Sequence, residues 1–342
     1  ILSGDTSLAH LRPEDALFID TETTGLSGGT GTFPFLVGLG WFEKGTFAVC
    51  QLFARDFSEE RAMLAHLCDI ASAKRFLVSF NGKAFDLNLL GARFVLNRLV
   101  DTLSSMPHLD LLHPGRRLLR HRVKDARLST IETQVLGVER GRDIEGREIP
   151  LRYFEWLKRR DGSLMAEVFR HNRVDVASMA SLLKHLVDLV CGGDERVRSH
   201  DCDALAAAAL LESRGESGRA SVLYEAALAS CDPFVRRNAL AALSGIHKRA
   251  GRWETAAALW REMLDADPVD VFAAEELAKY HEHLRREYAA ARDIVRSILE
   301  TCAGLSNAKR LELEHRLRRL ELKGGLNRCN RGSHDDNKKH SS

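Results

Sequence analysis

The feature that most constrains this 342-residue chain is an apolar run that ends in two acids, Leu17-Phe18-Ile19-Asp20-Thr21-Glu22. Apolar residues of the β-branched and aromatic types are typical of a buried strand. Residues two apart on a strand project to the same face, so Asp20 and Glu22 point together. Neighbouring like charges repel, and a divalent cation removes that cost because hard cations prefer oxygen ligands. The run therefore predicts either a metal-binding pair at a strand end or a strand that enters a solvated acidic turn.

The composition limits the class of protein more than its function. With 44% hydrophobic and 29% charged residues, the chain has the balance of an ordinary soluble globular protein, and its length predicts two or three domains. A net charge of +2 neither identifies nor excludes a nucleic-acid-binding protein. The seven cysteines form no CxxC pair, which argues against a zinc site and favours a reducing cytoplasm. No apolar run is long enough to span a bilayer, so we expect a cytoplasmic protein without a membrane partner.

Two further acids occur in patterns that can bring them back to the first pair. Asp86 follows the apolar run 76–80 and lies in the first turn of an expected helix, where an acid commonly does no more than interact with the helix dipole, worth ~0.3–1 kcal/mol. Asp175 lies on a long helical pattern, 164–190, four residues after His171. Residues four apart share a helical face, so this pair is either part of a site or a simple surface pair.

Three other segments have patterns that bear on function or on local structure. The glycine-rich loop 25–32 lacks the lysine of a phosphate-binding P-loop, which excludes a P-loop nucleotidase. A basic run, 116–127, forms either a solvated face or a contact with a phosphate backbone. Ser129 is expected to cap a short helix, with Glu132 as the second residue of a capping box, and 139–150 reads as a polar loop.

After Gly192-Gly193-Asp194-Glu195 the sequence pattern predicts helices alone. Gly215 and Gly251 lie 36 residues apart, as do Tyr224 and Trp260. This region resembles a tetratricopeptide array, whose paired helices repeat every ~34 residues. Such arrays build extended binding surfaces, so the repeats are expected to recruit a protein partner or to lengthen the path of a nucleic acid.

Three motifs, taken in order, resemble one known family. They are D-x-E at 20–22, N-G-x-x-F-D at 81–86 and H-N-x-x-D at 171–175. Together they resemble the DEDD exonuclease superfamily of the ribonuclease H-like fold, and in detail the YprB-type ribonuclease H-like domain, over roughly residues 14–190. The resemblance implies an α/β ribonuclease H-like domain, with a mixed central sheet flanked by helices, followed by an all-α tetratricopeptide-like repeat domain. The expected segments are a lead-in (1–13), the exonuclease domain (14–192), the repeats (200–323) and a disordered tail (327–342).

The resemblance also implies a site. Four acids would hold two divalent cations, Mg²⁺ or Mn²⁺: Asp20, Glu22, Asp86 and Asp175. His171 would orient or deprotonate the attacking water, although a histidine here stands at the spacing where the superfamily usually has a tyrosine. Asp110 is expected to be structural. Candidate nucleic-acid contacts are Asn81, Lys83, Arg116, Arg117 and Arg120.

We therefore expect a metal-dependent nuclease, in the first instance a 3′–5′ exonuclease on single-stranded DNA or RNA. The alternative is a non-catalytic scaffold that binds nucleic acid or a protein through the repeats. Metal binding separates the two, because a scaffold has no need of four clustered carboxylates. The sequence leaves open DNA against RNA, exonuclease against endonuclease, the preferred metal and the partner of the repeats.

Overall fold

The structure is a computed structural model that describes residues 1–25, 31–141, 143–192 and 200–335, without the side chains of 325–335. The chain forms two compact units, Ile1–Glu216 and Ser217–Ser342. Most of the glycine-rich loop considered above lies outside the described residues.

The first unit is built on a five-stranded mixed sheet with the order β3-β2-β1-β4-β5. β1 pairs with β2 antiparallel and with β4 parallel, β2 pairs with β3 antiparallel, and β4 pairs with β5 parallel. This confirms the expected mixed central sheet. The strands are β1 (Ala16–Thr23), β2 (Pro34–Glu43), β3 (Thr46–Phe53), β4 (Phe76–Ser79) and β5 (His108–Asp110).

β1 is the central strand, and its sequence explains why. Leu17, Phe18 and Ile19 are fully buried, as expected for a strand that is covered on both faces and flanked by neighbours on both sides. The last half of β1, which carries Asp20 and Glu22, is only partly buried. Because β1, β4 and β5 are parallel, their carboxyl ends lie at one edge of the sheet. That edge therefore collects the two acids and the residues that follow β4 and β5.

The described residues of the first unit also form seven α-helices. They are α1 (Glu60–Ser72), α2 (Asp86–Leu96), α3 (Leu112–Leu119), α4 (Leu128–Ile131, extended by a π-helical turn, Glu132–Leu136), α5 (Ile149–Arg159), α6 (Ser163–Cys191) and α7 (Asp201–Ser213). The long helix α6 packs across β1 and β2, where β2 has Gly38 and Gly40. A Cβ at Gly38 would lie only 2.3 Å from the side chain of Asn172, so glycine is what allows α6 to approach the sheet this closely.

The second unit is helical throughout its described residues, as the sequence predicts. Its helices are α8 (Ser217–Ala227), α9 (Pro233–Arg249), α10 (Trp253–Ala266), α11 (Val271–Lys279, extended by a π-helical turn, Tyr280–Arg285), α12 (Tyr288–Thr301) and α13 (Asn307–Asp335). Tyr224 and Trp260, which lie 36 residues apart, are both buried. The assignment of these helices to the tetratricopeptide class stays a prediction.

The segment boundaries expected from sequence also stay predictions. The structure groups α7 with the first unit, whereas the sequence places residues from 200 onward with the repeats. The last helix runs from Asn307 to Asp335 and so covers part of the stretch 327–342 that the sequence predicts to be disordered. Within the described residues, no helix is both long and apolar enough to cross a membrane.

Candidate active site

Asp20 is fixed between the sheet and helix α6. It pairs in register with Gly38, whose lack of a side chain leaves room for Asn172 of α6. The Asn172 amide Nδ2 donates a hydrogen bond of 2.9 Å to Asp20 Oδ2. Gln51 Nε2 donates to Asn172 Oδ1 at 2.8 Å, which fixes the orientation of that amide. One face of β1 thus holds the first acid against the helix that carries the last one.

Asp86 reaches the same edge from the start of helix α2. The hydroxyl of Thr21, which lies between the two acids of β1, donates a hydrogen bond to Asp86 Oδ1. The turn before α2 is held by Asp110, whose carboxylate accepts the backbone N–H groups of Asn81 at 2.8 Å and Lys83 at 3.1 Å. Asp110 therefore has the structural position that the sequence indicates. Asn81 adopts a positive φ of 67°, which asparagine tolerates better than most residues.

Asp175 and His171 come from the middle of α6, one turn apart. His171 Nε2 lies 3.7 Å from Asp175 Oδ2, which is too long for a direct hydrogen bond. The other ring nitrogen, Nδ1, lies 3.0 Å from Asp143 Oδ1 in the loop before α5. The side chains of His171 and Asp175 are only 16% and 17% exposed, so these two residues are not a solvated surface pair.

The electrostatics show that the four acids Asp20, Glu22, Asp86 and Asp175, here called the four-acid cluster, act on one another. Desolvation is the main cause that raises the pKa of each carboxyl. The charge of Asp175 is the next cause for both Asp20 and Glu22, and the charge of Asp86 adds to both. For Asp86 and Asp175, hydrogen bonds and nearby cations oppose the shift without cancelling it. The edge of the sheet therefore carries more negative charge than its own residues neutralise.

This donor set fits divalent cations of the Mg²⁺ or Mn²⁺ type. All four side chains offer carboxylate oxygens, the ligands that hard cations prefer. Burial and mutual repulsion disfavour the charged carboxylates, and a bound cation removes both costs. The structure thus brings together the five residues that the sequence singled out as catalytic or metal-binding.

Three residues at the site were not identified from the sequence: Glu132, Arg140 and Asp143. The Arg140 guanidinium donates to both oxygens of Glu132, to Asp175 Oδ1 and, at 3.0 Å, to Asp143 Oδ2. The capping-box prediction for Glu132 is wrong, because its fully buried carboxylate binds Arg140. The residue at the N-cap position of this helix is Arg127, and its side chain makes no capping hydrogen bond. Partial burial opposes ionisation of Asp143, but hydrogen bonds from His171 and Arg140 lower its pKa overall. The only sequence signal was the excess of charge in a polar loop.

Four of the five predicted nucleic-acid contacts are exposed, and the fifth, Asn81, is half-buried. Lys83 is exposed on the turn before Asp86. Arg116, Arg117 and Arg120 are exposed at the far end of α3, a helix of eight residues and so ~12 Å long. Arg117 Nη2 also donates to the backbone oxygen of Ala209 at 3.0 Å. Their contact with nucleic acid stays a prediction.

A second cluster of metal-binding residue types lies elsewhere in the first unit. The ligand atoms of His121, His200 and Asp203 all lie within 4.8 Å of one another. The Asp203 carboxylate, however, already pairs with His121 Nε2 at 2.8 Å and with Arg122 at 3.4 Å, and it accepts the His200 backbone N–H at 3.0 Å. A helix N-terminus such as that of α7 also disfavours a cation. We therefore interpret this cluster as a structural cap that joins the turn after α3 to α7.

Comparison with known proteins agrees with the fold. A model of the RNase_H superfamily matches residues 17–187, which include the whole four-acid cluster. The chain is also 31% identical over 328 residues to the protein named "Uncharacterized protein YprB" of Bacillus subtilis (strain 168). That alignment covers 94% of this chain and 78% of the relative, so it extends well into the helical second unit.

Proposed function

This chain belongs to the RNase_H superfamily, and from that premise we propose that it is a divalent-metal-dependent nuclease, a 3′–5′ exonuclease acting on single-stranded DNA or RNA. The observation that carries the proposal is the convergence of four acids from β1, α2 and α6 at one edge of the sheet. Each has a raised pKa, so the ionised form of these carboxylates is costly until a cation neutralises it.

Asp20, Glu22, Asp86 and Asp175 would hold two ions, Mg²⁺ or Mn²⁺. When bound, such ions would supply a water of lowered pKa and stabilise charge on the attacking and leaving oxygens of a phosphodiester. The surrounding residues prepare the ligands. Asn172 orients Asp20, and Thr21 orients Asp86, which follows the general pattern in which hydrogen-bonded neighbours fix metal ligands.

His171 is suited to accept the proton of the attacking water. When Nδ1–H donates to Asp143, the neutral ring carries its lone pair on Nε2, the nitrogen that faces Asp175. Imidazole accepts a proton readily near neutral pH. The pairing with Asp143 also stabilises the imidazolium that forms when the proton arrives.

An exposed aromatic residue supports a single-stranded substrate. Phe85 is 52% exposed and lies immediately before Asp86, and Lys83 is on the same turn. Proteins that bind single strands combine cations for the backbone with aromatic faces for unpaired bases. A base at the end of a strand could therefore stack on Phe85 while its phosphodiester lies at the four-acid cluster. Arg116, Arg117 and Arg120 would contact the strand farther along.

The second unit favours an added binding role. Its helices leave large apolar side chains exposed, among them Val222 at 62% and Phe234 at 66%. These could bind a protein partner, as proposed from the repeat pattern. A scaffold without catalysis remains the alternative function, and it predicts no metal-dependent cleavage.

The test is degradation of end-labelled single-stranded DNA and RNA with Mg²⁺ or Mn²⁺. Wild type is compared with Asp20→Asn and Asp175→Asn, which remove charge while keeping side-chain shape. Glu167→Gln is the matched control, because Glu167 is a partly exposed acid on the same helix as Asp175 that pairs with Arg152. A ladder that shortens from the 3′ end, is retained in the control and is lost in both cluster variants supports the proposal. No metal-dependent cleavage of either polymer contradicts it.

A further inference from the structure

Arg140 brings one positive charge into contact with the four-acid cluster. Its Nη2 donates to Asp175 Oδ1, and its Nη1 donates to Asp143 Oδ2 at 3.0 Å. The side chain is only 10% exposed, so solvent screens this charge weakly. Its charge acts to lower the pKa of both Asp175 and Glu22, against the repulsion that raises them. Arg140 therefore acts on two of the four proposed metal ligands.

Glu132 explains why this cation stays in place. Its carboxylate is 0% exposed and binds Arg140 through two parallel hydrogen bonds, to Nε and Nη2. Bidentate pairs of this type fix the plane of the guanidinium as well as its position. Although burial opposes it, pairing with Glu132 and Asp175 raises the pKa of Arg140, so its charge is permanent. The Glu132–Arg140 pair is thus a rigid support with one hydrogen-bonding edge turned to the cluster.

A fixed cation here has two consequences. It makes the crowded carboxylates less costly before any metal arrives, because it neutralises part of the charge of Asp175. It also weakens the attraction of the site for a further cation, because like charges repel most at short range in a poorly screened environment.

We propose that Arg140 is a resident counter-cation of the site, a positioning residue that shares Asp175 with the divalent ions and so limits how tightly they bind. This inference rests on the nuclease function proposed above. Loss of Arg140 should tighten metal binding, whereas loss of a merely structural ion pair would leave it unchanged or weaken it.

The test is Mn²⁺ binding to the full chain, measured by calorimetric titration. The double variant Glu132→Gln with Arg140→Gln removes one charge of each sign, so the net charge is constant and the fully buried Glu132 is not left as a charge without its partner. The matched control is Glu60→Gln with Arg93→Gln, another largely buried bidentate pair in the same unit. We expect the Kd for Mn²⁺ to fall roughly tenfold in the first variant, because Arg140 contacts Asp175 directly and its charge acts on that carboxylate more strongly than the opposing charge of Glu132 does. The control should keep the wild-type Kd.

Arg140→Lys separates charge from geometry, because lysine retains the positive charge without the fork of donors. It should bind Mn²⁺ with nearly the wild-type Kd, and tightening equal to that of the double variant would overturn the charge assignment. If the amide variant does not fold, Glu132→Met with Arg140→Met replaces the same pair by apolar groups, a change that buried ion pairs often tolerate.

A second readout is the rise in Tm produced by Mn²⁺, which should be larger in the double variant than in wild type. An unchanged or weaker Kd in the double variant, with wild type binding Mn²⁺ normally, overturns the role of Arg140 and leaves the nuclease proposal standing. Failure of the wild type to bind Mn²⁺ or Mg²⁺ overturns both.

Discussion

The four-acid cluster in the first unit and Glu282 in the second place buried carboxylates in opposite electrostatic settings. Glu282 is 2% exposed, on the π-helical turn after α11. It accepts hydrogen bonds from three cations on one face of α13: Arg316 at 3.3 Å, Arg319 at 2.9 Å and Lys323 at 3.0 Å. Burial opposes ionisation, but Arg319, Lys323 and the neighbouring His283 lower the pKa of Glu282 overall. In the cluster, desolvation and repulsion prevail and raise the pKa of all four acids.

The contrast separates a structural carboxylate from a functional one. Where the chain supplies its own cations, a buried acid joins two secondary-structure elements and needs no external cation. In the four-acid cluster, the arginine that the described residues supply bonds only Asp175 of the four acids and is already paired with Glu132, so charge is left for an external cation to neutralise. A buried group whose pKa is strongly shifted, and whose charge the protein does not neutralise, is a candidate functional residue. Here such groups lie together at the edge of the central sheet.

The largest expected effect is on activity. Asp20→Asn should lower cleavage by about 10³-fold, or ~4 kcal/mol of transition-state stabilisation, because a metal ligand is lost. The free energy of unfolding without metal should not fall, because the substitution removes a repelling charge and keeps a group that can bond Asn172. Cleavage rates and calorimetric unfolding measured on one preparation check both expectations. An Asp20→Asn protein that cleaves as fast as wild type would place the chemistry elsewhere.

The second effect is stabilisation by the metal. A ligand that binds only the folded state adds ~2.7 kcal/mol at a concentration of 100 Kd. Saturating Mn²⁺ should therefore raise the unfolding temperature of wild type and of Glu282→Gln, but not of Asp175→Asn. Mg²⁺ should act in the same way at higher concentration if it binds more weakly. Equal stabilisation of all three proteins would show that the ions bind outside the cluster.

The sequence predicts those features of the four-acid cluster that depend on local patterns of residue type. The buried strand 17–19, the two acids after it and the helix with His171 and Asp175 follow from residue type and from periods of two and 3.6. The order of the three motifs added the family and, with it, the mixed sheet. These features are local or nearly so, and the structure confirms the strand and the helix.

Other features depend on contacts between distant segments, which the periodicity of apolar residues along the sequence does not indicate. Arg140 meets Asp175 across 35 residues, from a loop without an apolar pattern. Asn172 reaches Asp20 only because Gly38 lets α6 approach β2, and nothing in the local sequence of either residue indicates the pairing. Glu282 meets its cations 34 to 41 residues later, which depends on how α13 packs.

The third prediction concerns the structural member of the comparison. Glu282→Gln should lower the free energy of unfolding by about 2 kcal/mol, less than a fully buried pair because Arg319 and Lys323 are 49% and 39% exposed. Nuclease activity should be retained. The control is Glu262→Gln, which breaks a solvent-exposed pair with Arg236 and should cost no more than ~0.5 kcal/mol. Hydrogen exchange of α13 shows where stability is lost. An equal loss of unfolding free energy in Glu282→Gln and Glu262→Gln would contradict the role of burial.

The smallest effect is the pH dependence that Glu282 confers. Its folded-state pKa is lowered relative to the ~4.3 of an unfolded glutamate, so its contribution to stability is present above that value. The contribution is lost as the pH falls through the lower folded-state pKa, because the folded state must then take up a proton that weakens three cationic contacts. Wild type should therefore lose more stability than Glu282→Gln between pH 6 and pH 3, and the two should converge at the acid end. Chemical unfolding of α13, followed across that range without metal, measures the difference directly. Parallel pH curves for the two proteins would mean that Glu282 has the same proton affinity folded and unfolded, and that its cations do not hold its charge.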